Sequence, residues 1–303
     1  MRIALVTAAG VDVEKLDDRF LADSLIANHG VDVYKPRWDE PALSMADWAA
    51  FDAVCLRSCW DYHLRYDEFL DWFTRAERAG VRWINPAAGV RWNSHKRYLL
   101  DLQDDGVPIA ASRFVPRGGA CDLEALLKET GWTEAIVKPA VSASAYRTWR
   151  TGGVTPEVSR QRLTELLADG DAIIQRFVPE IVNGEWSLVF VEEELSHAVR
   201  KRPRAGDFRT QSELGAAMTA EQPSAALAST ARAALRTATR FGAPCLTRLD
   251  LVETSDGPIV MEVELIEPML FFAYAPGSAA RAASAVVARM AGMRAAAAGA
   301  ATT

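Results

Sequence analysis

Three carboxylates late in the chain carry its sharpest chemical signal. Asp250 stands in Arg248-Leu249-Asp250-Leu251-Val252, and Glu262 and Glu264 stand in Val260-Met261-Glu262-Val263-Glu264-Leu265. Strand side chains at i and i+2 share a face, so Glu262 and Glu264 project together. A paired strand, joined through the turn Ser255-Asp256-Gly257, can set Asp250 beside them. Three acids on one face repel one another unless something positive lies among them, and an oxygen-only set suits Mg²⁺. The competing reading is a solvated acidic face paired with nearby arginines.

Lysines are the second signal. Lysine occurs only at positions 15, 35, 96, 128, 138 and 201, in a chain whose basic residues are otherwise Arg, so each one asks why Arg would not do. Lys138 ends the apolar strand Ala135-Ile136-Val137, where an ammonium is costly to bury without an anion. Beyond it, Ser142-Ala143-Ser144-Ala145 offers small residues whose N–H groups and hydroxyls can approach a phosphate closely. Taken alone, this pattern also describes an ordinary turn, and Lys96 also reads as a solvated helix charge. Arg57, ending an expected strand beside Ser58, Trp60, Asp61 and Tyr62, suits an amino-acid substrate at the carboxyl edge of a parallel sheet. Its fork fits a carboxylate and Asp61 fits an ammonium, against the alternative of a surface arginine paired locally. The run Arg200-Lys201-Arg202 is a solvated hairpin edge able to steer a triphosphate.

Composition narrows the field. With 303 residues, 50% hydrophobic and 24% charged, the chain is globular and large enough for two or three lobes. A net charge of −6 is a poor footing for nucleic-acid binding, which needs a basic surface. No apolar run approaches a membrane span and no leader-like segment opens the chain, so the expectation is a cytoplasmic protein acting on a small molecule without a membrane partner; a homo-oligomer is left open. The cysteines at 55, 59, 121 and 245 form no CxxC pair, and the histidines at 29, 63, 95 and 197 lack ligand spacing, which argues against zinc. Nine scattered tryptophans read as packing.

The elements that must position these residues fall into three regions. Expected strands at 3–7, 31–34 and 53–56 alternate with helices at 15–28 and 66–79, which predicts a parallel α/β lobe over 1–90. Ala8-Ala9-Gly10 is not a dinucleotide-binding turn. Residues 91–172 read as a small α+β lobe: a helix over 93–102, strands at 112–115, 135–139 and 146–150, and helices at 122–130 and 156–168. The region 173–303 reads as an antiparallel lobe with a hairpin at 186–199, a helix over 224–241, the strand pair 245–252 and 258–265, and a helix over 276–293 before an Ala-rich end expected to fray.

The order of these features resembles the ATP-grasp superfamily of carboxylate–amine ligases, in its glutathione-synthetase-like branch. Arg57-Ser58 with Asp61, Asn85-Pro86, Asn93-Ser94-His95-Lys96, Val137-Lys138-Pro139, Gln175-Arg176-Phe177-Val178, Gly184-Glu185, Asp207-Phe208-Arg209 and Asp250 with Glu262-Val263-Glu264 all fall in the family's order. The phrases Leu56-Arg57-Ser58-Cys59-Trp60-Asp61-Tyr62, His197 to Pro203 and Glu264-Leu265-Ile266-Glu267-Pro268 further resemble the cyclo-ligases that close O-ureido-serine into cycloserine. The resemblance implies an ATP-grasp fold and the cofactors ATP and Mg²⁺. It implies that Lys96 and Lys138, with Ser142 and Ser144, hold phosphates, and that Gln175, Arg176, Phe177 and Val178 form the adenine hinge. Glu185 would bind the ribose, and Asp250, Glu262 and Glu264 the metal. Arg209, Lys201 and Arg248 would face charge that develops in catalysis, and Arg57, Ser58, Asp61 and Tyr62 the substrate. The chain departs from the family by a phosphate loop without glycines, by Glu264 where Asn is frequent, and by Gln-Arg rather than Gln-Glu at the hinge. The implied chemistry is carboxylate activation as an acyl phosphate, followed by attack of a nitrogen within the same molecule, with no covalent protein intermediate. A dipeptide or amino-acid ligase and a non-catalytic nucleotide-binding protein are the alternatives.

Overall fold

The computed structural model describes residues 1–15, 17–210 and 214–300. The N-terminal lobe contains β1 (Arg2–Thr7), α1 (Asp18–His29), β2 (Asp32–Tyr34), α2 (Met45–Ala49), β3 (Ala53–Ser58) and α3 (Tyr66–Arg78). Its strands are parallel in the order β2-β1-β3. β3 is buried along its whole length, as a parallel strand covered on both faces must be. Ser44 and Asp47 close a reciprocal cap at the start of α2, and Gly30 ends α1 at φ 60°, a left-handed position that suits glycine. The apolar stripe of α3, Phe69, Trp72, Phe73 and Ala76, enters an aromatic core with Trp38, Trp48, Tyr62 and Trp83, so these tryptophans pack as expected.

The helix expected over 93–102 is two helices, α4 (Ala87–Asn93) and α5 (Tyr98–Asp104), and Lys96 lies in the turn between them. Asn93 fixes the break: its Nδ2 donates to Val263 O at 2.7 Å and its Oδ1 accepts from Leu265 N at 2.8 Å. Asn85 works in the same way, donating to Leu246 O and Leu265 O and accepting from Cys245 N and Leu246 N. These amides satisfy backbone groups that would otherwise be buried without partners.

The central lobe contains β4 (Ser112–Val115), α6 (Leu123–Thr130), β5 (Ala135–Pro139), β6 (Trp149–Arg150), α7 (Pro156–Asp169) and β7 (Ala172–Arg176), with an antiparallel sheet in the order β4-β7-β5-β6. Two expected boundaries shift here. β7 lies in the middle of this sheet, so the central lobe extends to Arg176 rather than 172. The face of α5 bearing Tyr98, Leu99 and Leu102 packs on the C-terminal sheet, so the start of the expected central region belongs to that neighbouring core.

The C-terminal lobe contains β8 (Glu185–Val191), β9 (Glu194–Arg202), β10 (Ala217–Ala220), α8 (Ala225–Thr239), β11 (Leu246–Thr254), β12 (Gly257–Glu264) and α9 (Ser278–Ala300). Its strands are antiparallel in the order β10-β9-β8-β11-β12. The short edge strand β10 was not expected. Period-two alternation splits the sheet: Trp186, Leu188, Phe190, Leu249, Leu251 and Val263 bury against α5 and α8, and the opposite face carries both polar residues such as Ser187 and Asp250 and the apolar Val189 and Val199. The Ala-rich end stays helical to Ala300, with 301–303 outside the described residues. α9 returns to the N-terminal lobe, where Val286 and Met290 share a core with Leu21 and Leu25 of α1 and with Val189 and Val199 of the sheet. No helix among the described residues is long and apolar enough to cross a membrane.

Candidate active site

Strand register assembles the carboxylates. Asp250 pairs across β11 and β12 with Glu262, Arg248 pairs with Glu264, and Ser187 of β8 lies opposite Asp250 on its other side. Carboxylate oxygens of Asp250, Glu262 and Glu264 lie within 4.8 Å of one another. Basic residues stitch them together. Arg248 donates to Asp250 Oδ1 and Oδ2 at 3.1 and 3.0 Å and also to Glu264. Lys201 Nζ lies 3.1 Å from Asp250 and 2.7 Å from Glu185. Lys96 Nζ lies 2.5 Å from Glu262 and donates to Ser142 O at 3.1 Å.

This network divides the protons unequally. Burial alone would raise the Asp250 and Glu262 carboxyls. Arg248 and Lys201 override it at Asp250, and Lys96 and Lys138 override it at Glu262, so both are held below the usual carboxylate range. At Glu264 burial wins: with Glu262 and Asp250 adding repulsion against the pull of Arg248, its carboxyl is pushed up to about 8. A cluster that keeps one acid protonated at neutral pH lacks positive charge, and an all-oxygen set of this kind fits Mg²⁺.

Across the cleft stands the central lobe. Lys138 of β5 lines the cleft, and its ammonium makes no hydrogen bond or ion pair with any described residue. Burial, then the neighbouring Lys96, pushes its ammonium down to about 8. Ser142 and Ser144 line the same wall. Ser144, Ala145 and Arg147 all take positive φ, at 50°, 55° and 46°, so the loop reaches left-handed geometry without glycines, at roughly 1–2 kcal/mol per residue. That geometry also confines β6 to two residues where a strand over 146–150 was expected. Ile136, Phe177, Val178, Ile181 and Met261 bring apolar side chains to the lining of the cleft. Gln175 and Arg176 also line the cleft; Gln175 pairs through β7 and donates to Ser112 Oγ at 3.0 Å. Glu185 accepts from Lys201 and from Thr210 Oγ1 at 2.5 Å, and Arg209 lines the mouth of the cleft paired to Asp207 at 2.8 Å.

The four residues expected to bind substrate are not on this cleft. Arg57 has its guanidinium buried, donating from Nε and Nη2 to Asp18 Oδ1 at 2.9 and 2.7 Å and from Nη2 to Pro268 O at 3.0 Å. Ser58 Oγ donates to Asp18 Oδ2 at 2.7 Å. Asp61 accepts from Trp38 Nε1 at 2.7 Å, and Tyr62 is buried in the aromatic core. All four have hydrogen-bonding or packing partners within the protein. Residues that the sequence reading did not assign also face the cleft, among them Trp60, Met261, Glu267 and Phe271. Met261 is the extra residue of a β-bulge, because Asp250 pairs with Glu262 while Leu251 pairs with Val260. The bulge turns consecutive residues, Met261 and Glu262, toward one side, and alternation cannot foresee that.

A phosphate held by Lys138 would bind with a pH dependence. Below about 8 the Lys138 ammonium is already protonated when a phosphate arrives; above that, binding must draw a proton in. Metal-free ADP is therefore expected to bind with constant affinity below about pH 8 and to weaken by up to about tenfold per pH unit above it. Calorimetry in buffers of differing ionisation enthalpy should show proton uptake only on the alkaline side. Affinity that stays flat across that range would remove Lys138 from the phosphate site.

A three-lobed fold with a nucleotide-sized cleft between two antiparallel sheets, closed by basic residues on one wall and a carboxylate triad on the other, defines an ATP-grasp ligase. The chain belongs to that family, and within it to the group of the cycloserine synthetase DcsG. Residues 155–268 match the RimK-like ATP-grasp domain, and residues 3–85 match the N-terminal domain of D-cycloserine synthetase DcsG. The cycloserine biosynthesis protein DcsG of Streptomyces lavendulae is 32% identical over 264 residues, covering 84% of this chain and 87% of the relative. A crystal structure of D-cycloserine synthetase DcsG superposes with a TM-score of 0.85 at 28% identity, over 96% of this chain and 100% of that one. Glutathione synthetase of Prochlorococcus marinus is 31% identical over 144 residues, 46% of this chain and 44% of that protein. D-alanine–D-alanine ligase of Bacillus anthracis shares the fold, with a TM-score of 0.72 at 15% identity over 97% and 98% of the two chains. The protein is accordingly an ATP-dependent carbon–nitrogen ligase that uses ATP with Mg²⁺ and acts on a small molecule.

Proposed function

We propose that this ligase closes O-ureido-D-serine into D-cycloserine. The observation that carries the reading is the match of residues 3–85 to the N-terminal domain of D-cycloserine synthetase. The match over residues 155–268 is to a general RimK-like ATP-grasp domain, whereas the match over residues 3–85 is to a domain described for D-cycloserine synthetase. In this reading Lys138 and Lys96, with the 140–148 loop, take the phosphates, the apolar lining around Ile136 and Met261 takes adenine, and Glu185 takes the ribose. Asp250, Glu262 and Glu264 would hold Mg²⁺, which neutralises charge on the transferred phosphoryl group. Arg248, Lys201 and Arg209 face that charge from the protein side. The substrate carboxylate displaces ADP to give an acyl phosphate. The nitrogen next to the side-chain oxygen then gives up its proton and attacks the acyl carbon, and phosphate leaves; water afterwards cleaves the bond from the ring nitrogen to the carbamoyl carbon, leaving N–H on the ring and releasing carbamate, which falls to carbon dioxide and ammonia. Closure of the lobes over the acyl phosphate excludes water. The net charge of −6 is a poor footing for a nucleic-acid partner.

The test is ADP release with Mg-ATP over a panel of amino acids, with and without an added amine. O-Ureido-D-serine alone is expected to support turnover and to yield a cyclic product. Turnover that requires two amino acids would move the enzyme to the peptide ligases and overturn the cyclisation reading.

A further inference from the structure

Residues 266–272, which follow β12, have their backbone held from both sides by side chains. From the N-terminal lobe, Trp60 Nε1 donates to Glu267 O at 3.4 Å and Arg57 Nη2 donates to Pro268 O at 3.0 Å. The Asp17 carboxylate accepts from Leu270 N at 2.8 Å and Phe272 N at 2.7 Å. From the C-terminal lobe, Arg248 Nη1 donates to Met269 O at 3.2 Å and His197 Nε2 donates to Leu270 O at 2.7 Å. Phe271 is kept at φ 54°, a left-handed strain that persists only where surrounding contacts over-determine the backbone. A segment anchored in this way is a rigid mount, and it presents the Glu267 side chain to the cleft.

Glu267 differs from the other acids of the cleft. Glu185, Asp250, Glu262 and Glu264 each contact a lysine or arginine. The Glu267 carboxyl has no hydrogen bond or ion pair with any described residue. Nor does it join the three acids whose oxygens gather into the metal group. Burial and the adjacent Glu264 push its carboxyl well above the usual carboxylate range against the pull of Lys96, so an arriving cation would favour its ionised form.

We infer that Glu267 receives the α-ammonium group of the amino-acid substrate. The inference rests on the ligase reading above and places the ammonium site on the cleft, whose lining does not include Asp61. Position favours it. In an α-amino acid the ammonium sits on the carbon next to the carboxyl group, so its site must adjoin the one where the carboxylate is activated. Glu267 lies three residues beyond Glu264, on the side facing Trp60 of the N-terminal lobe. A carboxylate accepting from an ammonium makes a charge-assisted bond that a substrate lacking the amine cannot replace.

The experiment measures ADP release by the wild type and by Glu267→Gln on O-ureido-D-serine and on each other panel amino acid the wild type turns over. Each is run beside its des-amino counterpart, the same acid with hydrogen in place of the ammonium. The wild type is expected to favour the amino acid by about 100-fold in kcat/KM. Glu267→Gln should shrink that preference to a few-fold, through KM for the amino acid, with ADP affinity unchanged as the check on folding; Glu267→Asp should keep part of it. A Gln variant that retains the full preference overturns the inference, as does one whose ADP binding falls in the same proportion, which would place Glu267 in the nucleotide or metal site. Failure of the underlying ligase reading looks different: the wild type itself would turn over no member of the panel, and both conclusions would fall together.

Discussion

Glu262→Gln is expected to lower kcat by about 10³-fold or more while metal-free ADP binds at least as tightly as to the wild type. The two effects have one cause, the double engagement of Glu262. On one side it belongs to the triad with Asp250 and Glu264, directly opposite Asp250 in the β11–β12 register. Taking one anionic oxygen donor from that set removes stabilisation needed only as charge moves, and about 10³-fold corresponds to roughly 4 kcal/mol of transition-state energy. On the other side it neutralises Lys96 through a 2.5 Å ion pair. Glutamine keeps the shape and drops the charge, so Lys96 is freed for a phosphate. A site that had lost its fold would lose both properties together. Steady-state ADP release and calorimetry in EDTA separate them, and turnover within about tenfold of the wild type would mean that Glu262 is not part of the reacting centre.

The triad was legible because it depends on strand alternation and one tight turn, both local. Lys138 was legible because a lone lysine at the end of an apolar strand has few structural uses. The same logic that found Glu262 missed Met261, because the bulge between Asp250 and Leu251 breaks the alternation on which the reading relied. Glu267 was missed for a different reason. It belongs to no regular element, and its exposure to the cleft depends on contacts from Asp17, Arg57, Trp60 and His197, which converge from distant parts of the sequence. The loop after Lys138 departs from the family by lacking glycines, and Ser144, Ala145 and Arg147 there adopt left-handed backbone angles that sequence propensity disfavours. Lobe boundaries moved for a related reason: β7 pairs with strands before it and α5 packs on strands after it, so cores here do not follow chain order.

Arg57→Met is the variant expected to cost the most stability, about 3–5 kcal/mol. As a residue at a strand end beside an aromatic and an acid, Arg57 looked like a fork for a substrate carboxylate. Its partner instead is Asp18, 39 residues earlier at the start of α1, and its side chain is 1% exposed. Removing the guanidinium strands the Asp18 carboxylate in the interior with only the hydroxyl of Ser58 as donor, and leaves Pro268 O without that donor. An uncompensated buried charge is far more costly than a missing pair, so the double variant Arg57→Met, Asp18→Asn should recover most of the loss. Urea unfolding of the wild type, the single variant and the double variant closes this cycle. A purely substrate-binding arginine would give the opposite pattern, with unfolding unchanged and KM alone affected. Because Arg57 also anchors the segment that carries Glu267, the single variant should in addition blur the preference for amino acids over their des-amino counterparts. That places the cost of a buried ion pair in the service of aiming one carboxylate at the cleft.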